Sequence, residues 1–222
     1  MSKLYIIKRT MKLSGILLLV LAALFYLWGH QGNLLAVFLR DSMTDEPHRP
    51  LSEIVIDRKI SKPRIIVSKR QKTLIVFDGD RLLKTYTVSL GTNPSLDAKI
   101  KDKDNLTPEG TYYVVEKTSF GTPRRFLGSR WLGLNYPNFE DAKRGFKEGL
   151  ITSKDFLAIE KAALEHVPPP KDTPLGGIIG IHGGGSPLLG SSWTNGSIGM
   201  YNKDVEELFE YIPLGTEVLI KK

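Results

Sequence analysis

From Arg64 onward, apolar residues recur in short runs of β character. Ile65–Val67, Thr73–Phe77 and Leu83–Leu90 are rich in β-branched and aromatic residues and read as strands. Asp78-Gly79-Asp80, between the second and third runs, predicts a tight turn and hence a hairpin. Thr111–Glu116, Trp131–Leu134, Gly177–Ile181 and Thr216–Ile220 add further β runs. Helical signals are fewer. Ser153–His166 carries Phe156, Ile159, Ala163 and Leu164 at helical spacing; Thr152 with Asp155 forms a capping pair ahead of it, and Pro168-Pro169-Pro170 ends it. Asn202 is expected to cap a helix over Lys203–Tyr211, with Asp204 and Glu206 in the first turn where the helix dipole favours acids. Pro213 stops that helix. The pattern predicts a mostly β domain with short helices over residues 64–222.

The amino-terminal part follows a different pattern. Leu13–Trp28 carries no charge, and Lys3, Lys8, Arg9 and Lys12 precede it. Such a basic flank (residues 1–12) stays cytoplasmic and sends the following chain across a membrane. A cleaved signal peptide needs a small-x-small site, and Leu24-Phe25-Tyr26-Leu27-Trp28 after Ala23 offers none. A retained anchor needs about 20 apolar residues, which Gly29 and Asn33–Leu39 help to supply. Residues 13–30 are therefore expected to be a signal anchor, with the domain held outside the inner membrane. A buried helix of a soluble protein fits poorly, because the run is apolar on every face. Residues 31–63, with Pro47 and Pro50 and charges of both signs, read as a linker, with a short strand expected at Ile54–Asp57.

Composition narrows the function classes. The chain has 222 residues, 41% hydrophobic and 25% charged, enough for one domain with a sizeable core. Of the net charge of +7, four positive residues lie in the amino-terminal flank. No Lys/Arg stripe interleaved with aromatics follows, so nucleic acid is not an expected partner. The absence of cysteine excludes disulfides, a thiolate zinc site and a cysteine nucleophile.

The candidate chemistry lies near the carboxyl terminus. Of four histidines, His30 adjoins the apolar run, His48 is in the linker and His166 precedes the prolines. His182 instead follows a β run and opens the glycine loop Gly183-Gly184-Gly185. That placement suits acid/base work, and equally a structural histidine in a turn. Fifteen positions on stands Ser197, within Thr194-Asn195-Gly196-Ser197-Ile198-Gly199-Met200. A small nucleophile beside glycine, just ahead of a helix, exposes its side chain and leaves backbone N–H groups for an oxyanion; Asn-Gly-Ser is also an ordinary turn. It is no nucleophile elbow, because Asn195 stands where glycine is required.

These segments together resemble the L,D-transpeptidases of the YkuD type. The family pattern of Ile-His-Gly, a loop, Ser/Thr-x-Gly-Cys-Ile-x-Met/Leu, Asn, an acidic helix and Pro-x-Gly-Thr-x-Val is matched by Ile181-His182-Gly183, Thr194–Met200, Asn202, Asp204–Leu208 and Pro213–Val218. Thr107-Pro108-Glu109-Gly110 and Leu134–Asn138 extend the match upstream. The resemblance covers about residues 64–220. It implies the YkuD-type β-sandwich fold with short helices and acyl transfer on peptidoglycan stem peptides, with loss of a terminal D-alanine and formation of 3→3 cross-links. It also implies no metal or organic cofactor. His182 would be the general base and then acid, and Ser197 the nucleophile. Gly196 and Ser197 N–H groups would be oxyanion donors, and Thr194, Asn195 and Gly183 would shape the site.

Three positions depart from the family pattern. Ser197 stands in place of the nucleophilic cysteine, Asn195 where many members have histidine, and Gly199 where many have arginine. A hydroxyl is a far weaker nucleophile than a thiolate and needs concerted base help. The chain is thus expected to be a serine acyltransferase, a stem-peptide hydrolase, or a peptidoglycan-binding pseudoenzyme.

Overall fold

The computed structural model describes residues 49–55, 59–185 and 191–222. Within them the elements run α1 (Leu51–Ile54), β1 (Pro63–Ser68), β2 (Thr73–Asp78), β3 (Arg81–Thr87), β4 (Leu90–Gly91), β5 (Gly110–Arg124), β6 (Gly128–Leu134), α2 (Phe139–Lys147), α3 (Ser153–Glu165), β7 (Gly180–His182), β8 (Ser192–Thr194), β9 (Ile198–Gly199), α4 (Asn202–Tyr211) and β10 (Glu217–Lys221). Eight strands form one sheet in the order β3-β2-β1-β10-β5-β6-β7-β9, and β4 pairs with β8 apart from it.

Alternation explains the first half of the sheet. In β2, Leu74 and Val76 point inward and are fully buried while their neighbours are partly exposed. The Asp78–Asp80 turn joins β2 to β3 as an antiparallel pair, with Gly79 at φ +59°, which suits a residue without Cβ. The long strand β5 belongs to both halves. Its first residues pair with β10, and from Val114 onward it pairs with β6. Register shifts after Val114 and Ser119 mark where that second pairing is irregular, as bulges do when a strand bends. Residues of both halves, among them Ile65, Leu74, Tyr112, Leu132, Ile181 and Ile198, share one buried cluster with Val205 and Leu208 of α4. Each such side chain contributes roughly 1.5–3 kcal/mol through burial.

The structure departs from the sequence reading in four places. Helix α2 was not expected; Asn138 and Asp141 form its capping box, and it packs with α3 around Ala142, Ile151, Ile159 and Leu175. Gly177–Ile181 yields a strand only from Gly180, because Ile178 adopts φ +55° and breaks the extended run. Ile54 ends a helical turn rather than opening a strand, and Ile56 and Asp57 lie outside the described residues. Asn202 does not cap α4: Tyr201 is the cap residue and makes no side-chain capping bond. The apolar run Leu13–Trp28 also lies outside the described residues, among which no helix is long and apolar enough to cross a membrane.

One buried polar centre ties the short helix α1 to the domain. Glu207 of α4 accepts hydrogen bonds from Lys84 Nζ (2.6 Å), from the Tyr86 hydroxyl (2.7 Å) and from the backbone N–H of Leu51. Burial and then the Glu207 carboxylate push the Tyr86 phenol well above its usual range, so it stays a donor. Leu51 is fully buried beside them. Removing the carboxylate would leave the buried Lys84 ammonium unpaired, a change that costs about 3 kcal/mol. Glu207→Ala should therefore lower the urea midpoint by a corresponding amount and speed hydrogen exchange at the Leu51 amide. Unchanged exchange there would show that Glu207 does not hold α1.

Candidate active site

The site is built where β7 and β9 lie side by side. Their parallel register pairs Ile181 with Ile198 and His182 with Gly199. Ile181 and Ile198 are fully buried in the core, so by alternation His182 and Ser197 lie together on the other face. Ser197 stands two residues before Gly199, the partner of His182 in the ladder. On the far side of β7, Trp131 of β6 stands directly opposite His182.

His182 is fully buried, and its tautomer is determined by its partner. Nδ1 lies 2.8 Å from the Gly183 carbonyl oxygen. A carbonyl only accepts, so Nδ1 carries the proton, and in the neutral ring Nε2 holds the lone pair. Nε2 is buried without a hydrogen-bond partner among the described residues. Burial drives the imidazole pKa down to about 4, against the smaller opposing effect of the Gly183 carbonyl. The ring is neutral at pH 7 and ready to accept a proton at Nε2.

Aromatic rings enclose it. Trp131 stacks on His182 at 5.9 Å and 28°, Phe126 lies at 5.7 Å and 32°, and Trp193 meets it edge-on at 5.5 Å and 86°. Trp193 also excludes any side chain at Gly199, where an added Cβ would sit 2.6 Å from the indole. The arginine that many family members carry at this position has no room here.

Ser197 lines a cleft of about 550 Å³ together with Asn195, Asn105, Lys103, Ile178, Phe126 and Trp131. His182 lies behind the last two rings. The Ser197 hydroxyl accepts from Gly180 N at 3.3 Å and donates to Ile178 O at 3.4 Å. Its proton is therefore directed at a carbonyl rather than at His182. Ile178 is a β-branched residue in the left-handed region, an arrangement that costs roughly 1–3 kcal/mol and is commonest at functional sites. A second cleft of about 310 Å³ adjoins the first across Leu127, Trp131 and Ile178 and contains Glu116 and Lys171.

The turn that presents Ser197 is braced from beneath. The buried Thr194 hydroxyl donates to Ser197 O at 2.6 Å and accepts from Gly196 N at 3.2 Å. The expectation of a Gly196 N–H free for an oxyanion is thus corrected: that donor is taken by Thr194. Gly196 has φ +120°, and an added Cβ would meet Leu106 O at 2.6 Å, so only glycine fits. Asn195 is exposed at the cleft wall. Opposite it, Asp104 orders the loop that carries Lys103 and Asn105. Burial would raise its carboxyl, but Lys99 Nζ at 2.6 Å and the amides of Lys101, Ile100 and Leu106 outweigh this and hold it below the usual range. The Thr-Pro-Glu-Gly segment is structural: Thr107 accepts from Gly91 N at 3.0 Å and Glu109 pairs with the buried Lys69 at 2.9 Å.

Of the sequence-derived site residues, the structure brings His182, Gly183, Thr194, Asn195, Gly196 and Ser197 into one place. Sequence reasoning missed Phe126, Trp131 and Ile178. The available signals were an aromatic in the turn Arg124-Arg125-Phe126 and a tryptophan inside a strand. No group of acidic residues and histidines that could hold a metal occurs among the described residues.

A family model described as the L,D-transpeptidase catalytic domain (YkuD) matches residues 62–220. YqjB of Bacillus subtilis, provisionally assigned as an L,D-transpeptidase, is 30% identical over 159 residues, covering 71% of this chain and 70% of that protein. YkuD of Bacillus licheniformis, similarly assigned, is 27% identical over 158 residues, covering 71% and 64%. Among solved structures, the helical cell shape determining protein Pgp2 from Campylobacter jejuni aligns with a TM-score of 0.49 at 24% identity, over 78% of this chain and 54% of that one. This chain thus spans about half of that solved structure and about two thirds of the Bacillus relatives. With the family model covering well over half of its length, the chain belongs to the L,D-transpeptidase family of the YkuD type.

Proposed function

We propose that this protein is a peptidoglycan acyltransferase in which Ser197 attacks a stem-peptide carbonyl and His182 takes and returns the proton. The observation that carries this reading is the state of His182: neutral, with Nδ1–H bound to Gly183 O and an unpartnered Nε2 on the same sheet face as Ser197. For attack, the Ser197 hydroxyl turns from Ile178 O towards Nε2. Oxygen bonds to the carbonyl carbon as the proton passes to Nε2. Collapse of the tetrahedral intermediate expels the amine of the terminal D-alanine, which takes that proton and leaves an acyl-Ser197 ester. A second amine then attacks the ester to form a 3→3 cross-link, or water hydrolyses it. Two adjoining clefts give room for two peptides and favour transfer to an amine. The proposed setting is the cell envelope, with residues 13–30 as an inner-membrane anchor. Protease should then digest the domain in intact spheroplasts, and protection until lysis would sink this topology.

One observation favours a second reading, a stem-peptide binder without turnover: the Ser197 proton is directed at Ile178 O rather than at His182. The nucleophile is the element that separates the two. Ser197→Cys should raise acylation by a carbapenem at least about tenfold, equivalent to about 1.4 kcal/mol off the barrier, because a thiol is intrinsically the stronger nucleophile and yields its proton to the neutral His182 far more readily than a hydroxyl does. Adding His182→Ala should abolish the gain. Intact-protein mass spectrometry and muropeptide analysis read both. A cysteine variant that stays unmodified would favour the binder.

Acidity supplies an independent check on the base. Since His182 titrates near 4 rather than 6.5, acylation of Ser197 should be flat from pH 8 down to about 5 and fall only below that. A midpoint near the ordinary histidine value would mean that the reacting base is not the buried His182 ring.

A further inference from the structure

Asn202 opens helix α4, where its side chain could cap the helix, yet it does not. Its Oδ1 instead accepts from Ser129 N at 3.1 Å and from Gly184 N at 3.0 Å. Both partners are N–H donors, so the amide oxygen must face them. The approach is close: an added Cβ at either Gly128 or Gly183 would lie 2.2 Å from Oδ1.

The Gly184 N–H and the Gly183 carbonyl belong to one planar peptide unit and point in opposite directions. Asn202 therefore holds one end of the plane whose other end accepts the Nδ1–H of His182. Neither flanking residue resists rotation of this plane. Both are glycine, and Gly184 already sits at φ +86°. The neighbouring bonds, Gly183 N to Leu127 O and Gly185 N to Met200 O, fix the adjoining peptide planes and leave this one to Asn202. If the plane flipped, an N–H would face Nδ1. The imidazole would then carry its proton on Nε2, with no lone pair left there to accept one from Ser197.

We propose that Asn202 is a positioning residue that prevents this Gly183–Gly184 peptide flip and thereby selects the Nδ1–H tautomer of His182. The catalytic consequence rests on the reading of His182 as the base; the tautomer itself does not. The test is ¹⁵N NMR of histidine-labelled protein at pH 7, comparing the native chain with Asn202→Ala and Asn202→Asp. The native chain and Asn202→Asp, which keeps an acceptor oxygen, should show the Nδ1-protonated form. Asn202→Ala should show a substantial Nε2-protonated population while remaining folded. In the Ser197→Cys background, carbapenem acylation should fall at least about tenfold with Asn202→Ala and return with Asn202→Asp. A folded Asn202→Ala chain with an unchanged Nδ1–H tautomer overturns the proposal, whatever its acylation rate. A shifted tautomer in a chain that acylates in no variant upholds the positioning role and instead defeats the enzyme reading. Should Asn202→Ala not fold, Asn202→Ser, whose shorter side chain withdraws the acceptor, is read by the same criterion.

Discussion

The candidate site depends on two rungs of parallel pairing, Ile181 with Ile198 and His182 with Gly199. Parallel neighbours cannot be joined by a tight hairpin, so the chain between them must leave the sheet and return. The glycine loop after His182 and strand β8 lie on that excursion, and β8 pairs with β4 on its way back. The ladder is short, but two fully buried isoleucines anchor it in the main core. The relative positions of His182 and Ser197 therefore depend on core packing rather than on any contact between the two residues.

Around this ladder the backbone is packed too closely for side chains. Gly196 lies against Leu106 O, Gly199 against Trp193, and Gly128 and Gly183 against Asn202. Each contact transmits the position of a neighbouring segment to the residue beside it, so the cleft walls, His182 and Ser197 are mutually constrained. The aromatic rings have an electrostatic effect as well. By excluding water from His182 they lower its basicity, so the imidazole remains uncharged well into acid.

Much of this organisation could be read from the sequence. Alternating apolar runs identified the outer strands, and Thr152 with Asp155 placed helix α3, because these signals act within a few residues. His182 and Ser197 were legible through motif order. What was missed depends on long-range contact. Asn202 has the ordinary chemistry of a helix cap, and only the approach of Ser129 and Gly184 redirects it. Ile178 has the composition of a strand residue, but its carbonyl and the Gly180 N–H converge on the Ser197 hydroxyl. Helix α2 is short and mostly polar, and its Asp141 is held by Tyr112, a residue of β5 distant in sequence.

The Ile178 carbonyl has one more consequence. It receives its hydrogen bond from the Ser197 hydroxyl proton, and an ester oxygen has no proton to give. Covalent loading of Ser197 would thus cut one tie to a residue already held in an unfavourable backbone conformation. Because Ile178 lies on the border between the two clefts, the segment released by loading the first is also part of the wall of the second. A single backbone carbonyl thus joins the hydroxyl in one cleft to the wall of the other.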